Sequence, residues 1–172
     1  IITMVREQMI EYLTDLEKRD LLDARKLLIE YADWLNLDLS FQGFSEEIET
    51  LPGRYYPPEG ALILARVDGV AAGCVALRKL SSLVCEMKRL FVRPSYRGMG
   101  IGKQLVARII EEAIKRHYQF MRLDTLPLMK DARKIYQDMG FYPISPYYDN
   151  PIVGAEFMEL NLENWSKKRT RL

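Results

Sequence analysis

Residues that usually bind metals or form disulfides are scarce in this chain. It has two cysteines, Cys74 and Cys85, and one histidine, His117. Both cysteines fall in apolar runs, which is typical of buried free thiols. One histidine and two core-like cysteines form neither a metal-ligand cluster nor a Ser-His-Asp or Cys-His catalytic set. We therefore expect no metal, and we look for the chemistry in other side chains.

Long apolar runs and a strong charge imbalance are lacking as well. No run approaches the roughly 20 apolar residues that are needed to span a bilayer. A net charge of +1 gives no global reason to expect a nucleic acid or a membrane as partner. Arg6, Glu7 and Glu11 interrupt the start of the chain, so no signal-peptide pattern opens it. The cytoplasm is the expected compartment, with Met4 as one candidate for the natural start.

The length of 172 residues predicts one domain, 1–172, with a core at about 8–162 and a basic C-terminal tail at 163–172. The run 167–171 in that tail is expected to be solvated. Hydrophobic periodicity predicts strands at 8–13, 61–67, 70–80, 83–92, 120–125 and 155–162. The same periodicity predicts helices at 20–36, at 45–49, from 103 onwards and at 129–139.

Turn signals connect these elements into an α+β fold. Asp68-Gly69 predicts a tight hairpin, Gly73 a bulge, Ser45 a helix cap and Gly140 a helix end. Because a helix lies between them, strand 120–125 is expected to run parallel to strand 83–92. The prediction is a mixed, mostly antiparallel sheet with helices on both faces.

A glycine at every second position, Gly98, Gly100 and Gly102, follows the apolar strand and precedes a helix. Strand, glycine-rich turn and helix form an anion cradle, because backbone N–H groups point at the ligand from the positive end of the helix dipole. A Walker A loop fails on spacing, and Gln104 stands where its Mg²⁺-binding hydroxyl should be. A dinucleotide fingerprint fails because the spacing is G-x-G-x-G. The cradle therefore serves the phosphate of another ligand, or else the glycines form only a structural turn.

Two segments carry a resemblance to a known family. Arg97-x-x-Gly100-x-Gly102 resembles the acyl-CoA pyrophosphate loop of the GNAT (Gcn5-related N-acetyltransferase) superfamily. Segment 132–141 resembles the later A-x-x-[LI]-Y-x-x-x-G-F segment of that family, and the similarity in element order covers about 8–162. Met129 departs from the pattern, since the family often has Asn there.

The resemblance implies an N-acetyltransferase with acetyl-CoA as cosubstrate. It implies that the parallel strand pair splays apart, so that pantetheine pairs with the exposed strand edge while the loop wraps the pyrophosphate. The acetyl group would pass to a primary amine of a small molecule or peptide by direct transfer in a ternary complex. The implied acyl-CoA-binding residues are Leu90, Phe91, Val92, Arg97, Gly98, Met99, Gly100, Ile101, Gly102 and Lys103.

Proton transfer needs a base for the ammonium group of the acceptor and an acid for the leaving thiolate. The resemblance implies Glu86 as general base, and the alternative is a solvated carboxylate that pairs with Lys88 or with a neighbouring strand. It implies Tyr136 as general acid, and the alternative is a tyrosine that only packs on the sheet. Alternation points Cys85 to the face opposite Glu86, which argues against an acyl-cysteine intermediate.

The acceptor site is expected between the first two helices and the last loop. Aromatic side chains there either form core or shape an amine site, and Asp149 either receives a cationic group or starts an Asx turn. The candidates are Tyr31, Trp34, Phe41, Phe44, Tyr55, Tyr147, Tyr148 and Asp149.

Two other function classes compete with the enzyme. One is an acyl-CoA-binding sensor or scaffold without turnover, and the presence of Glu86 and Tyr136 argues against it. The other is a nucleotide or nucleic-acid binder, which the near-zero net charge and the failed Walker spacing disfavour. The sequence leaves open the acceptor, the acyl length and the choice between monomer and homodimer.

Overall fold

The computed structural model describes residues 6–170, so Met4 and Arg171 lie outside the described residues. The strands are β1 (Ile10–Leu13), β2 (Ala61–Val67), β3 (Val70–Lys79), β4 (Val84–Val92), β5 (Phe120–Thr125), β6 (Tyr142–Ile144) and β7 (Glu156–Asn161). The helices are α1 (Lys18–Leu35), α2 (Phe44–Thr50), α3 (Ile101–Lys115), α4 (Lys130–Met139) and α5 (Leu162–Arg169). Short 3₁₀ turns occupy Ser40–Gln42, Gly53–Tyr55 and Pro94–Tyr96.

All seven strands of residues 6–170 join one sheet in the order β1-β2-β3-β4-β5-β7-β6. Neighbouring strands are antiparallel except β4 and β5, which are parallel. The elements follow one another in the predicted order, and α3 connects the parallel strands β4 and β5. Both observations confirm the predicted mixed sheet. None of the helices in the described part of the chain is long and apolar enough to cross a membrane.

Helices cover both faces of the sheet, as expected. Ile63 belongs to the core that α3 closes, and the next residue, Leu64, belongs to the core that α1 closes. Every residue of β2 is buried for this reason, which explains its continuous apolar sequence. The β2–β3 hairpin turns at Asp68 and Gly69, whose φ angles of 49° and 82° are those of the predicted tight turn.

A bulge in β4 shifts its pairing with β3. Cys74 pairs with Phe91 and Ala76 with Lys88, so Arg89 and Leu90 together oppose one residue of β3. Arg89 adopts a φ of 60°, which is unusual for a residue other than glycine. Gly73 lies in β3 beside this bulge, and a Cβ there would come within 2.6 Å of the Phe91 carbonyl oxygen. The predicted bulge is confirmed one residue away, because Ala65 pairs with Gly73 and Arg66 with Ala71, which leaves Ala72 as the extra residue of β3 opposite β2.

Helix boundaries differ from the predictions at two glycines. Helix α2 begins at Phe44 with Gly43 as its N-cap, so the prediction of Ser45 as a cap is wrong. Helix α3 begins at Ile101, two residues earlier than predicted, with Gly100 as its N-cap. Both glycines adopt left-handed backbone conformations. Gly140 ends α4 at a φ of 99°, as predicted.

The expected C-terminal tail is instead helix α5. Asn161 caps it by accepting a hydrogen bond from the Asn164 backbone N–H at 3.1 Å. Leu162 and Trp165 are buried against the core on the α3 face, while Lys167 and Lys168 are exposed. The prediction of solvated basic side chains holds for these two residues. The prediction of a tail is wrong, because two apolar residues are enough to dock a short helix.

Replacing Trp165 by alanine tests the docking of α5. Trp165→Ala should lower the free energy of unfolding by about 3 kcal/mol, because a large buried ring is lost. Chemical denaturation followed by circular dichroism measures the change. The matched control is Lys168→Ala, an exposed position in the same helix, which should change the free energy of unfolding by less than about 0.5 kcal/mol. Equal effects of the two substitutions would contradict a docked α5.

Candidate functional site

Strands β4 and β5 separate after a short parallel contact. Their register contains three pairs, of which the last joins Glu86 to Arg122, although both strands continue beyond it. The backbone of β4 therefore faces an opening from Met87 onwards. Backbone N–H and C=O groups at such an edge need partners, so an extended, amide-bearing ligand suits this opening.

A groove of about 730 Å³ runs along this edge to the start of α3. All the predicted acyl-CoA-binding residues except Met99 line it. They are Leu90, Phe91, Val92, Arg97, Gly98, Gly100, Ile101, Gly102 and Lys103. Met99 packs half-buried against the core instead. Residues of α4 and of the segment before it form the opposite wall.

The glycine loop forms the anion cradle at one end of the groove. The first backbone hydrogen bond of α3 runs from the Gln104 N–H to the Gly100 carbonyl oxygen at 3.1 Å, so the N–H groups of the first turn have no acceptor within the helix. Gly100 offers no side chain to cap them. Its φ of 77° is in the left-handed region, and a Cβ there would meet open space. This end therefore presents donors and room to an anion.

Arg97 lies at the edge of the cradle and contacts both β4 and α1. Its Nε donates to the Val92 carbonyl oxygen at 3.0 Å, and its guanidinium lies 4.9 Å from the centroid of the Trp34 ring. Trp34 thus belongs to the groove, although it was predicted to contact the acceptor. Lys103 is exposed on the first turn of α3. Two cations accordingly flank the donors of the cradle.

A narrow cavity of about 30 Å³ adjoins the groove. Leu90 and Met129 line both the cavity and the groove, so the two meet at these residues. The cavity wall includes the hydroxyl-bearing Tyr31 and Tyr136 together with the charged Lys88, Arg89 and Asp124. The remaining lining residues are Leu35, Leu39, Gln42, Met87, Leu126, Asn150 and Ile152.

Tyr136, the predicted general acid, lines the cavity. It is buried in α4, and its ring packs against Phe141 with the centroids 5.6 Å apart. Burial raises the pKa of the Tyr136 hydroxyl well above its usual value of 10.0. The hydroxyl therefore stays protonated at neutral pH and has a proton to donate.

Glu86 is buried, and three donors hold its carboxylate. Arg78 Nε lies 2.8 Å from Oε1, Lys88 Nζ lies 3.5 Å from Oε1, and the Tyr147 hydroxyl donates to Oε2 at 2.6 Å. Burial alone would raise the pKa of Glu86, but the charges of Lys88 and Arg78 with the hydrogen bonds lower it below 4.5. The alternative of a solvated Glu86 is wrong, whereas its pairing with Lys88 is confirmed.

Arg89, at the bulge, fixes α2 to the sheet. Its side chain donates to Glu47 at 2.8 Å and to Gln42 at 2.8 Å, and it lies 5.2 Å from the centroid of the Phe44 ring. Burial would lower the pKa of Arg89, but Tyr55 and Glu47 raise it above its usual value, so the guanidinium stays charged. Phe44 therefore supports a buried cation, which differs from its predicted contact with the acceptor.

Among the acceptor candidates, Tyr31 lines the cavity. The remaining candidates lie outside its lining. Tyr147 bonds to Glu86, Tyr148 donates to Asp124, and Tyr55 donates to Glu47. In the described part of the chain, neither Phe41 nor Asp149 lines the cavity or the groove, and both are exposed. The Asx turn before Ile152 belongs to Asn150, whose Oδ1 accepts from the Ile152 N–H at 2.9 Å.

Sequence reasoning missed charged residues that line the cavity, among them Lys88 and Asp124. Both interrupt apolar strands, which is the same signal that singled out Glu86. Asp124 accepts hydrogen bonds from Tyr148 and from Asn150 Nδ2, the latter at 3.0 Å. The acidic residue that faces this cavity is therefore Asp124 on β5, whereas the loop residue Asp149 had been predicted.

Comparison with known proteins places this geometry in one family. The model of the acetyltransferase (GNAT) family matches residues 25–141. An uncharacterized N-acetyltransferase of Schizosaccharomyces pombe is 40% identical over 146 residues, which are 84% of this chain and 90% of that protein. A GNAT-family acetyltransferase structure from Staphylococcus aureus superposes with a TM-score of 0.74 at 20% identity, covering 90% of this chain and 99% of that chain.

A third similar protein has been solved with a bound ligand. It is a putative acetyltransferase from Salmonella typhimurium, described with its cofactor acetyl-CoA. Its TM-score to this chain is 0.67 at 16% identity, and the match covers 91% of this chain and 94% of that one. The common fold thus extends over nearly the whole length of both proteins.

Removing the charge of Glu86 tests its electrostatic role. Glu86→Gln should lower the free energy of unfolding at neutral pH by about 3 kcal/mol, because Arg78 and Lys88 are left without their buried carboxylate. The pKa of Glu86 is lowered in the folded state, so its contribution exists above the unfolded-state pKa near 4.5 and disappears as the pH falls through the folded-state pKa. Denaturation curves between neutral and acidic pH measure this difference.

The control for Glu86 is Glu59→Gln, which also loses a carboxylate paired with a β3 cation, Lys79. Glu59 is exposed, so this substitution should hardly change the unfolding free energy at any pH. A Glu86→Gln variant as stable as the Glu59→Gln control would show that the buried charge does not stabilise the fold.

Proposed function

The chain belongs to the acetyltransferase (GNAT) family and is an acyl-CoA-dependent N-acyltransferase, and we propose that it transfers acetyl from acetyl-CoA to a primary amine of a small molecule or peptide. One observation carries the proposal: the anion cradle and the open edge of β4 share a groove that meets a polar cavity at Leu90 and Met129. An acceptor amine that enters this cavity would lie beside a donor in the groove, as direct transfer requires.

Acetyl-CoA would bind along the groove. The pyrophosphate accepts hydrogen bonds from the first turn of α3, with Arg97 and Lys103 nearby. The pantetheine amides pair with the edge of β4 at Leu90 to Val92. Acetyl-CoA in the similar Salmonella typhimurium protein supports this choice of donor. Arg97 Nε must release the Val92 carbonyl oxygen if a pantetheine amide is to bond there.

Two carboxylates are candidates for the proton acceptor. Glu86 is already held by Arg78, Lys88 and Tyr147, and its lowered pKa makes it a weak base. Asp124 lines the cavity itself, and the groups that donate hydrogen bonds to it, from Tyr148 and Asn150, are neutral. We therefore assign the ammonium proton to Asp124 and give Glu86 the positioning role of keeping Lys88 charged and ordered.

The transfer then needs two bond changes and one further proton. The free amine attacks the thioester carbonyl carbon, the carbon–sulfur bond breaks, and the CoA thiolate takes the proton of the Tyr136 hydroxyl, whose oxygen regains a proton from the nitrogen of the new amide bond. Cys85 takes no part. It is buried on the α3 face, and burial raises the pKa of its thiol far above the ordinary value.

Ligand binding and turnover separate this function from its competitors. Acetyl-CoA and CoA should raise the melting temperature, and ATP should not. A panel of primary amines should release free CoA, which a thiol reagent detects. Stabilisation without turnover on any amine would favour an acyl-CoA sensor. Stabilisation by ATP alone would favour a nucleotide binder.

The substitution Gly100→Ala tests the cradle. A methyl group at this left-handed position projects into the space reserved for the anion, so the Kd for CoA should rise by about tenfold or more, equivalent to about 1.4 kcal/mol. Calorimetric titration with CoA measures it. The control is Gly69→Ala in the β2–β3 turn, where φ is 82° and a Cβ also meets open space. Both variants carry similar backbone strain, so a Kd that rises equally in both would refute the cradle.

The substitution Tyr136→Phe tests the general acid. Loss of the hydroxyl should lower kcat by about 100-fold or more while the Kd for acetyl-CoA stays the same, because general acids contribute about 10²–10⁴ in rate. Steady-state CoA release measures kcat. Tyr142→Phe, which removes an exposed hydroxyl bonded to Glu159, is the control and should retain kcat. An unchanged kcat in Tyr136→Phe would exclude the assignment.

A further inference from the structure

Opposite charges face each other where β4 and β5 separate. Lys88 and Asp124 each stand two residues beyond the last backbone pair, Glu86–Arg122. Side chains two residues apart in a strand lie on the same face, so Lys88 follows Glu86 and Asp124 follows Arg122. Both line the narrow cavity that also contains Tyr136. A small polar ligand in this cavity would touch a cation on one strand and a carboxylate on the other.

Neither charge is fully matched by the protein. The Lys88 side chain is only 5% exposed, and its Nζ shares Glu86 with Arg78, at 3.5 Å against 2.8 Å for Arg78. Asp124 takes its hydrogen bonds from Tyr148 and Asn150, and the ion pairs of the described residues do not include it. Charges taken out of water are costly unless a counter-charge accompanies them.

The neighbouring charges are already paired. Arg78 of β3 is paired with Glu86 of β4, and Arg89 of β4 is paired with Glu47 of α2. On β5, Arg122 is paired with Glu159 of β7 at 2.8 Å. Lys88 and Asp124 thus remain as the incompletely matched cation and anion of the cavity. A ligand that carries both charges and has no net charge would match them without disturbing the other pairs.

We propose that the acceptor is a free amino acid or a similar small zwitterion, with its carboxylate bound by Lys88 and its ammonium group by Asp124. The inference rests on the proposed function and adds the acceptor class. The ammonium proton goes to Asp124, and the amine nitrogen bonds to the thioester carbonyl carbon as the carbon–sulfur bond breaks. Tyr136 protonates the leaving thiolate, and the nitrogen gives its second proton to the Tyr136 oxygen. The acceptor carboxylate keeps its bond to Lys88 throughout, so Lys88 determines specificity without taking part in the chemistry.

Other amines fit these charges less well. A peptide N-terminus has an amide where a free amino acid has its carboxylate, so Lys88 would gain no counter-ion. A polyamine would bring a second cation beside Lys88 and Arg89, and like charges at close range are unfavourable. The narrow volume also favours small polar groups over a bulky side chain.

The first experiment compares matched acceptors with the 172-residue chain and acetyl-CoA. Each amino acid is assayed beside its decarboxylated amine and its carboxamide, and CoA release is measured at equal pH. The amino acids should give kcat/KM values roughly 10- to 100-fold higher, as expected for one charge-assisted hydrogen bond. Equal values for the three members of each set, or higher values for the amines, would overturn the inference.

The second experiment uses Lys88→Met, which keeps the length of the stem and removes the charge. It should raise KM for amino acids by roughly 10- to 100-fold while kcat changes little, because one charged bond in the bound complex is lost. The decarboxylated amines serve as an internal control for folding and should keep their kcat/KM in the same variant. Lys88→Arg should restore part of the preference, and Lys79→Met on β3, which does not line the cavity, should behave as wild type. A loss that is equal for acids and amines would refute the role of Lys88.

The two proposals can fail separately. If CoA thioesters neither stabilise the chain nor turn over with any amine, the proposed function is wrong. The inference of a zwitterionic acceptor, which rests on that function, is then wrong as well. If acetyl-CoA binds and amines are acetylated without preference for a carboxylate, the proposed function stands and only the zwitterion inference is overturned.

Discussion

The early end of the β4–β5 pairing is the constraint on which this structure depends. Only three backbone pairs hold the two parallel strands together, and the polar backbone groups beyond them need other partners. Helix α3 connects the two strands, so its N-terminus lies where β4 ends and adds an anion cradle to the open edge. Groove, cradle and cavity are thus consequences of one separation of strands. The GNAT-family acetyltransferases that superpose on this chain have the same overall fold.

Paired charges accompany the separation. The bulge in β4 places Arg89 in an unusual backbone conformation, and Glu47 and Gln42 hold its side chain there. Glu86 lies at the last paired position and binds Arg78 and Lys88. Such buried ions stabilise a fold only when their counter-ions are present, so they specify how α2 and the strands must meet more than they add stability. The polar cavity is what this arrangement leaves between the strands.

The fold and the donor side of the site could be predicted because their signals are local. Apolar periodicity defined the central strands and α3, and glycine spacing defined the loop. The acceptor side could not be predicted in the same way. Asp124 and Asn150 are hydrogen-bonded across 26 positions of sequence, and Glu86 is bonded to Tyr147 across 61. No periodic pattern encodes such distant contacts, and so the sequence indicated the exposed Asp149 and did not indicate Asp124. Helix α5 was missed because only Leu162 and Trp165 of its residues are buried.

The sequence by itself determined the order of the elements, the tight turn at Asp68-Gly69 and the glycine loop that begins α3, because backbone conformation depends on nearby residues. Only the tertiary structure decided which charges meet. It buried Glu86 among three donors, moved Trp34 to the groove and placed Lys88 opposite Asp124. The physical reason is that electrostatic interactions depend on distance and burial in space, and both are set when strands and helices that are far apart in the chain pack together.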